Sequence, residues 1–162
     1  MKSPIFVIMG VSGCGKTTVG QLLARSLLIE FMDADTFHPL ANIMKMKKGI
    51  PLTDLDRQPW LSILADHISQ RQNTGLVLAC SALKSNYRKI LAGQNSINWI
   101  YLKIDSEAAK ARLKLRKNHF MPETLIQSQF EALEVPESAL TIDARLPTDE
   151  IINIIKTKQC SP

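Results

Sequence analysis

Cysteine is scarce in this chain: only Cys14, Cys80 and Cys160, an odd number with no short-range pairing pattern and no metal-ligand spacing. That excludes a disulfide framework and a cysteine-based zinc module, and reduced thiols of this kind suit a cytoplasmic protein. Aromatic residues make up 6% and are not interleaved with the basic ones, so the stacking surface that a single nucleic-acid strand requires is missing. No apolar run approaches the length of a membrane span. The run at residues 5–9 follows a single Lys2 and stops at Gly10, too short for the core of a signal peptide. Long linkers, internal repeats and low-complexity tracts are absent as well. The net charge of +5 and pI near 9.2 arise from scattered residues, apart from Lys45-Lys47-Lys48 and the run 112–117. Charge alone therefore decides little between nucleic acid and a small anion as partner.

What remains is a chain of ordinary globular composition. With 162 residues, 45% hydrophobic and 22% charged, it reads as one domain spanning 1–162 that buries roughly 70% of its unfolded surface. Apolar runs suited to buried strands recur at residues 5–9, 29–32, 76–80, 99–102 and 139–142. Between them lie segments of helical period at 16–28, 39–48, 59–72, 84–92, 106–117, 122–132 and 148–158. Pro59 and Pro122 are placed as first-turn prolines, and Ser106 and Pro147-Thr148 as start signals. Such alternation predicts an α/β fold, a parallel sheet wrapped by helices, with chemistry at the carboxyl ends of the strands.

The stretch after the first strand is Gly10-Val11-Ser12-Gly13-Cys14-Gly15-Lys16-Thr17, which fits the phosphate-binding pattern G-x-x-x-x-G-K-[ST]. Val19, Leu22, Leu23, Ser26 and Leu27 then repeat at helical spacing, so the setting is strand, glycine turn, helix. Backbone N–H groups in such a turn curl around a polyphosphate, and the opening helix adds its positive dipole end. Lys16 supplies a point charge for the outer phosphates, the Thr17 hydroxyl suits Mg²⁺, and Thr18 completes the nucleotide-binding set. ATP with a small anionic substrate explains the positive charge as well as nucleic acid would. No D-x-x-G follows the third strand and no N-K-x-D lies near the fourth or fifth, which disfavours a GTP-controlled switch.

After the second strand come Asp33-Ala34-Asp35. In an extended chain the two carboxylates lie on one side, serving a metal and a substrate hydroxyl together. Asp35 is the candidate to orient an acceptor hydroxyl and take its proton, and Asp33 belongs to the Mg²⁺ shell, directly or through water. An Asp-rich cap before Thr36 is the competing local reading. The third strand ends in Cys80-Ser81-Ala82-Leu83-Lys84, small residues that leave room for a ligand, with Lys84 and Arg88 on adjacent turns of the next helix. An ordinary cap at Ser81 and a solvated Lys84 are equally compatible with the pattern. Arg112 and Arg116 stand four apart, stacked on one helix face, where two guanidinium forks can clamp ATP and neutralise charge on a moving phosphoryl group.

Further blocks are more specific than the loop: His38-Pro39 and Asn42, Gly49-Ile50-Pro51-Leu52-Thr53-Asp54, Asp56-Arg57, Pro59-Trp60-Leu61, Tyr87-Arg88, His119-Phe120-Met121-Pro122, Ser128-Gln129-Phe130-Glu131 and Leu133-Glu134. With these the chain resembles the gluconate kinases of the small P-loop type, related to shikimate and nucleoside monophosphate kinases, over nearly its whole length. A shikimate enzyme usually carries a glycine triplet where Cys80-Ser81-Ala82 stands. Cys14, Ala34 and Asn118 stand where the family often has serine, glycine and glycine. The resemblance implies a three-layer sandwich with five parallel strands, a substrate-binding segment at about 35–72 and a lid at about 116–133. It also implies MgATP-dependent phosphorylation of D-gluconate at the 6-hydroxyl and a homodimer, with Arg112 at adenine and Arg116 at the phosphates. Gluconate needs several hydrogen-bonding groups and a cation, and His38, Arg57, Lys84, Arg88, His119 and Gln129 are of suitable types. For Arg57 a salt bridge to Asp54 or Asp56 is the plain alternative, and for the histidines a structural role. Trp60 and Trp99 read as core residues.

Overall fold

A computed structural model describes residues 2–116 and 122–159. The expected alternation is present: β1 (Ile5–Met9), α1 (Lys16–Leu27), β2 (Glu30–Asp33), α2 (Leu40–Lys47), α3 (Asp54–Gln70), β3 (Leu76–Ala79), α4 (Ser85–Ala92), β4 (Asn98–Lys103), α5 (Ser106–Lys114), α6 (Glu123–Ala132), β5 (Leu140–Asp143) and α7 (Thr148–Gln159). A short 3₁₀ turn at Ala34–Phe37 follows β2. The strands form one sheet in the order β2-β3-β1-β4-β5, with parallel pairing throughout.

β1 is buried along its whole length because helices cover both faces of the sheet. Successive side chains point to opposite faces, so Phe6 and Ile8 join Leu23, Ile100, Leu102, Ile151 and Ile155 in one core. Ile5, Val7 and Met9 join Trp60, Leu64, Ile68, Leu78 and Leu91 in the other. The register places Ile8 beside Ala79 and Ala79 beside Asp33. The segments after β1, β2 and β3 therefore emerge at one end, around the position where the chain's direction across the sheet reverses.

Several boundaries differ from the sequence expectation. The third helix begins at Asp54, not at Pro59, because Thr53 and Asp56 form a reciprocal capping box one and a half turns earlier. Pro59 consequently lies inside the helix. Pro122 is the residue before α6 and not its first position. α5 stops at Lys114, with Leu115 as its C-cap, so Arg116 lies beyond the helix and does not share a face with Arg112.

Candidate active site

The loop from Gly10 to Gly15 bends tightly and is closed on its outer side. Gly13 has φ +87°, and a Cβ there would stand 2.8 Å from the carbonyl oxygen of Ala109. α5 thus packs against the loop backbone at a distance that only glycine permits. Gly15 caps α1 in the left-handed conformation with no side-chain acceptor, and the first turn of α1 holds no acidic residue. In α3 and α5 the side chains of Thr53 and Asp105 cap the first turn. The start of α1 instead leaves its amides and positive dipole end for an external anion. Lys16 Nζ lies along the loop, 3.1 Å from the Val11 carbonyl and 3.9 Å from Cys14 Sγ.

Asp33 touches the start of the same helix: Thr17 Oγ1 donates to its Oδ2 at 3.2 Å. Its Oδ1 accepts from the Asp35 backbone N–H at 3.0 Å, capping the 3₁₀ turn. The extended arrangement of Asp33 and Asp35 expected from the sequence is therefore replaced by a turn, and the cap and the oxygen pair with Thr17 coexist in one carboxylate. Mg²⁺ is commonly held by one or two protein oxygens together with phosphates and water, and this all-oxygen pair beside the loop fits it.

Asp35 itself faces a cavity of about 260 Å³ lined also by Ser12, Lys16, His38, Arg57 and Gln129. Gln129 reaches it from α6, with Oε1 accepting from the Ser12 N–H at 2.7 Å and Nε2 donating to the Ser12 hydroxyl at 3.0 Å. Arg57 donates from Nη1 to the Leu52 carbonyl and to the Tyr87 hydroxyl, over whose ring its guanidinium sits at 5.4 Å. Among the described residues no carboxylate pairs with Arg57, because Asp56 is taken by Lys45 at 2.9 Å and Asp54 by Lys84 at 3.0 Å. The Lys45 ammonium and the Thr53 N–H hold the Asp56 carboxyl down at about 2. Lys47 and Trp60 line the same cavity. From the sequence alone Lys47 reads as part of a basic run and Trp60 as a core residue. Trp60 is indeed buried, donating to the Ala34 carbonyl at 2.7 Å, yet its ring also stacks on His38 with centroids 4.2 Å apart.

Two expected substrate residues are occupied elsewhere. Lys84 pairs with Asp54 and approaches the Tyr87 ring at 5.6 Å, joining α4 to α3. Arg88 donates to the carbonyls of Ala82, Leu83 and Glu134 at 2.8, 3.0 and 3.0 Å, and Glu134 in turn accepts from the Ser85 N–H at 2.8 Å. Burial pushes the Arg88 guanidinium below its ordinary pKa. Neither side chain lines the cavity beside the loop. Arg88, Ser85 and Glu134 thus form a lock that fixes the segment after β3. On the opposite side of the loop, Arg112 donates to the carbonyls of Gly13, Cys14 and Ala144 at 3.5, 3.3 and 2.7 Å. It borders a groove of about 270 Å³ shared with Arg116, Thr18, Leu146 and Thr148. His119 lies outside the described residues.

A phosphate loop at the head of a parallel α/β sheet, with a cavity bearing Lys16, Asp35, His38 and Arg57 on one side and a groove on the other, defines the class of small P-loop kinases. A family model described as shikimate kinase matches residues 12–141. The thermosensitive gluconokinase of Escherichia coli strain K12 is 42% identical over 99% of this chain and 87% of its own length. The gluconokinase of Arabidopsis thaliana is 40% identical over 93% and 89%. The crystal structure of a gluconokinase from Sinorhizobium meliloti 1021 superposes with a TM-score of 0.85 at 37% identity, covering 93% of this chain and 87% of that one. The chain belongs to the gluconokinase family.

Proposed function

We propose that this enzyme transfers the γ-phosphoryl group of MgATP to the 6-hydroxyl of D-gluconate, giving 6-phosphogluconate and ADP. The observation that carries the reading is the convergence of Lys16, Asp35 and Arg57 on one cavity adjoining the phosphate loop. Asp35 orients the hydroxyl and accepts its proton as the new O–P bond forms and the bond between the γ-phosphorus and the bridging oxygen breaks. Lys16 and the loop amides offset charge on the transferring group and on the departing ADP, and Arg116 joins them from the segment after α5. Thr17 and Asp33 would hold Mg²⁺, which when bound would neutralise phosphate charge. The loop 10–15, Thr18 and Arg112 hold the nucleotide, with Arg112 fixing the loop through its carbonyls.

His38, Arg57 and Gln129 contact gluconate, and His119 belongs to the same set by family resemblance. Arg57 takes the carboxylate, supported by a guanidinium that retains donors and lacks a carboxylate partner among the described residues. Lys84 and Arg88 act through structure, which the Asp54 pair and the Glu134 lock support. At about 260 Å³ the cavity suits a small substrate. Pro122, Leu125 and Gln129 already border the cavity, supporting a lid at about 116–133 that excludes water as a competing acceptor. The buried thiols Cys14 and Cys80 support a cytoplasmic enzyme, and the family resemblance supports a homodimer. Among the described residues no helix is long and apolar enough to cross a membrane. ADP release measured with gluconate, shikimate and nucleoside monophosphates tests the reading. Stimulation by gluconate alone is expected, and stimulation by another acceptor of the panel in its place refutes it.

A further inference from the structure

Asn42, 3% exposed, is the buried polar side chain of the core among the described residues, and it sits directly behind His38. Its Nδ2 donates to the Asp56 carbonyl at 2.9 Å and lies 3.4 Å from His38 Nδ1. A carbonyl oxygen only accepts, so the amide of Asn42 must turn its nitrogen, not its oxygen, toward Asp56. That same nitrogen faces the imidazole. An amide NH₂ carries two hydrogens and offers no lone pair, so its contact with Nδ1 is favourable only when Nδ1 bears no proton.

We propose that Asn42 is a positioning residue that holds His38 as the neutral tautomer protonated on Nε2, making the ring a fixed hydrogen-bond donor to an oxygen of the bound sugar acid. The last step rests on the substrate reading above; the tautomer does not.

The surroundings agree. Burial is the largest influence on His38 and lowers its pKa, the Arg57 charge lowers it further, and only the Asp35 carboxylate opposes them. Lys16 and Lys47 line the same cavity and disfavour a further positive charge there. The Asp56 carboxylate, on the neighbouring helix, is neutralised by Lys45 and contributes only its backbone carbonyl to Asn42. The face of the ring is held by Trp60, with an interplanar angle of 15°. Asparagine is suited to this position because an aspartate would accept from Nδ1–H, reverse the tautomer and favour the imidazolium.

Long-range ¹H–¹⁵N spectra of the ¹⁵N-labelled full chain at about pH 7.5 test this. The His38 signals are identified by their loss in His38→Gln. The expected pattern shows Nδ1 as the unprotonated nitrogen and Nε2 as the protonated one. The reverse tautomer, or two averaged nitrogens, overturns the proposal. In Asn42→Asp the His38 titration midpoint rises, and the KM for gluconate rises about tenfold above that midpoint, where the neutral ring protonated on Nδ1 no longer donates from Nε2, and returns toward the parental value below it, a dependence on pH that the parent lacks. The rise in KM exceeds the fall in kcat. A KM raised equally at every pH, with the His38 spectrum unchanged, makes Asn42 a packing residue and also overturns the proposal. If Asn42→Asp does not fold, Asn42→Ala, in which His38 is expected to mix both neutral tautomers, supplies the comparison, and the spectra of parent and variant decide equally if gluconate is not phosphorylated.

Discussion

Asp35 is exposed in the turn after β2, free of the capping duty that Asp33 performs, and it faces the cavity that Lys16 also lines. Removing its basicity while keeping its shape separates chemistry from binding. Asp35→Asn should lower turnover by at least roughly 10²-fold with ATP affinity nearly intact, measured by steady-state ADP release and nucleotide titration. Near-parental turnover would exclude its role as base. Arg57 and Lys84 give a second contrast. Arg57→Met should raise the KM for gluconate by at least about tenfold, because a hydrogen-bonded charge pair with the carboxylate is lost. Lys84→Met should leave that KM near its parental value, because its ammonium is engaged by Asp54. The sequence pattern alone did not separate these two cations. Both have the right chemistry, and only the packing of α3 against α4, which places Tyr87 between them, assigns one to the cavity and the other to a helix contact.

Thr53 starts α3 by accepting from the Asp56 N–H at 3.1 Å, so Thr53→Ala should cost about 1 kcal/mol, read as a fall in unfolding midpoint of roughly 2–4 °C. Asp56 completes the box, and its carboxyl is held near 2 against an ordinary value of 3.8. A folded-state pKa below the unfolded one means that the unfolded chain binds the proton first, so this contribution is full above about pH 4 and fades toward pH 2. The Lys45 ammonium is the largest cause of that lowering and the Thr53 N–H the next, so the stability gap between parent and Asp56→Asn should shrink over that window in denaturant melts, and a gap independent of pH would contradict the Lys45 pairing. The expected start at Pro59 rests on a statistical preference for proline in the first turn, which the earlier Thr53–Asp56 cap overrides here. The phosphate loop was legible almost whole, since glycine spacing, Lys16 and the flanking periodicities are local. What the local pattern does not carry is that α5 rests on Gly13. Gly13→Ala should weaken nucleotide binding by at least about tenfold, because a strained φ and a Cβ at 2.8 Å from the Ala109 oxygen displace the loop.

Across the whole molecule, parallel pairing and register bring three segments distant in sequence to one end of the sheet, and the two cores hold them there. The alternating apolar runs made the layered architecture readable in advance, because strands covered on both faces leave unbroken hydrophobic stretches. The partition of the space beyond the sheet was not readable in that way. A cavity toward α3 and α6 and a groove toward α5 and α7 depend on contacts between elements many residues apart, such as Gln129 with Ser12 and Arg112 with Ala144. In the function proposed above, that division would give acceptor and nucleotide separate approaches to the same loop, and the phosphoryl group would pass directly between them. Carbon and phosphorus NMR of a reaction containing MgATP and D-gluconate reads this transfer without intermediary assays. A single phosphomonoester coupled to carbon 6, formed in step with ADP, is the expected spectrum; phosphate on another carbon, or inorganic phosphate with gluconate unchanged, would contradict it.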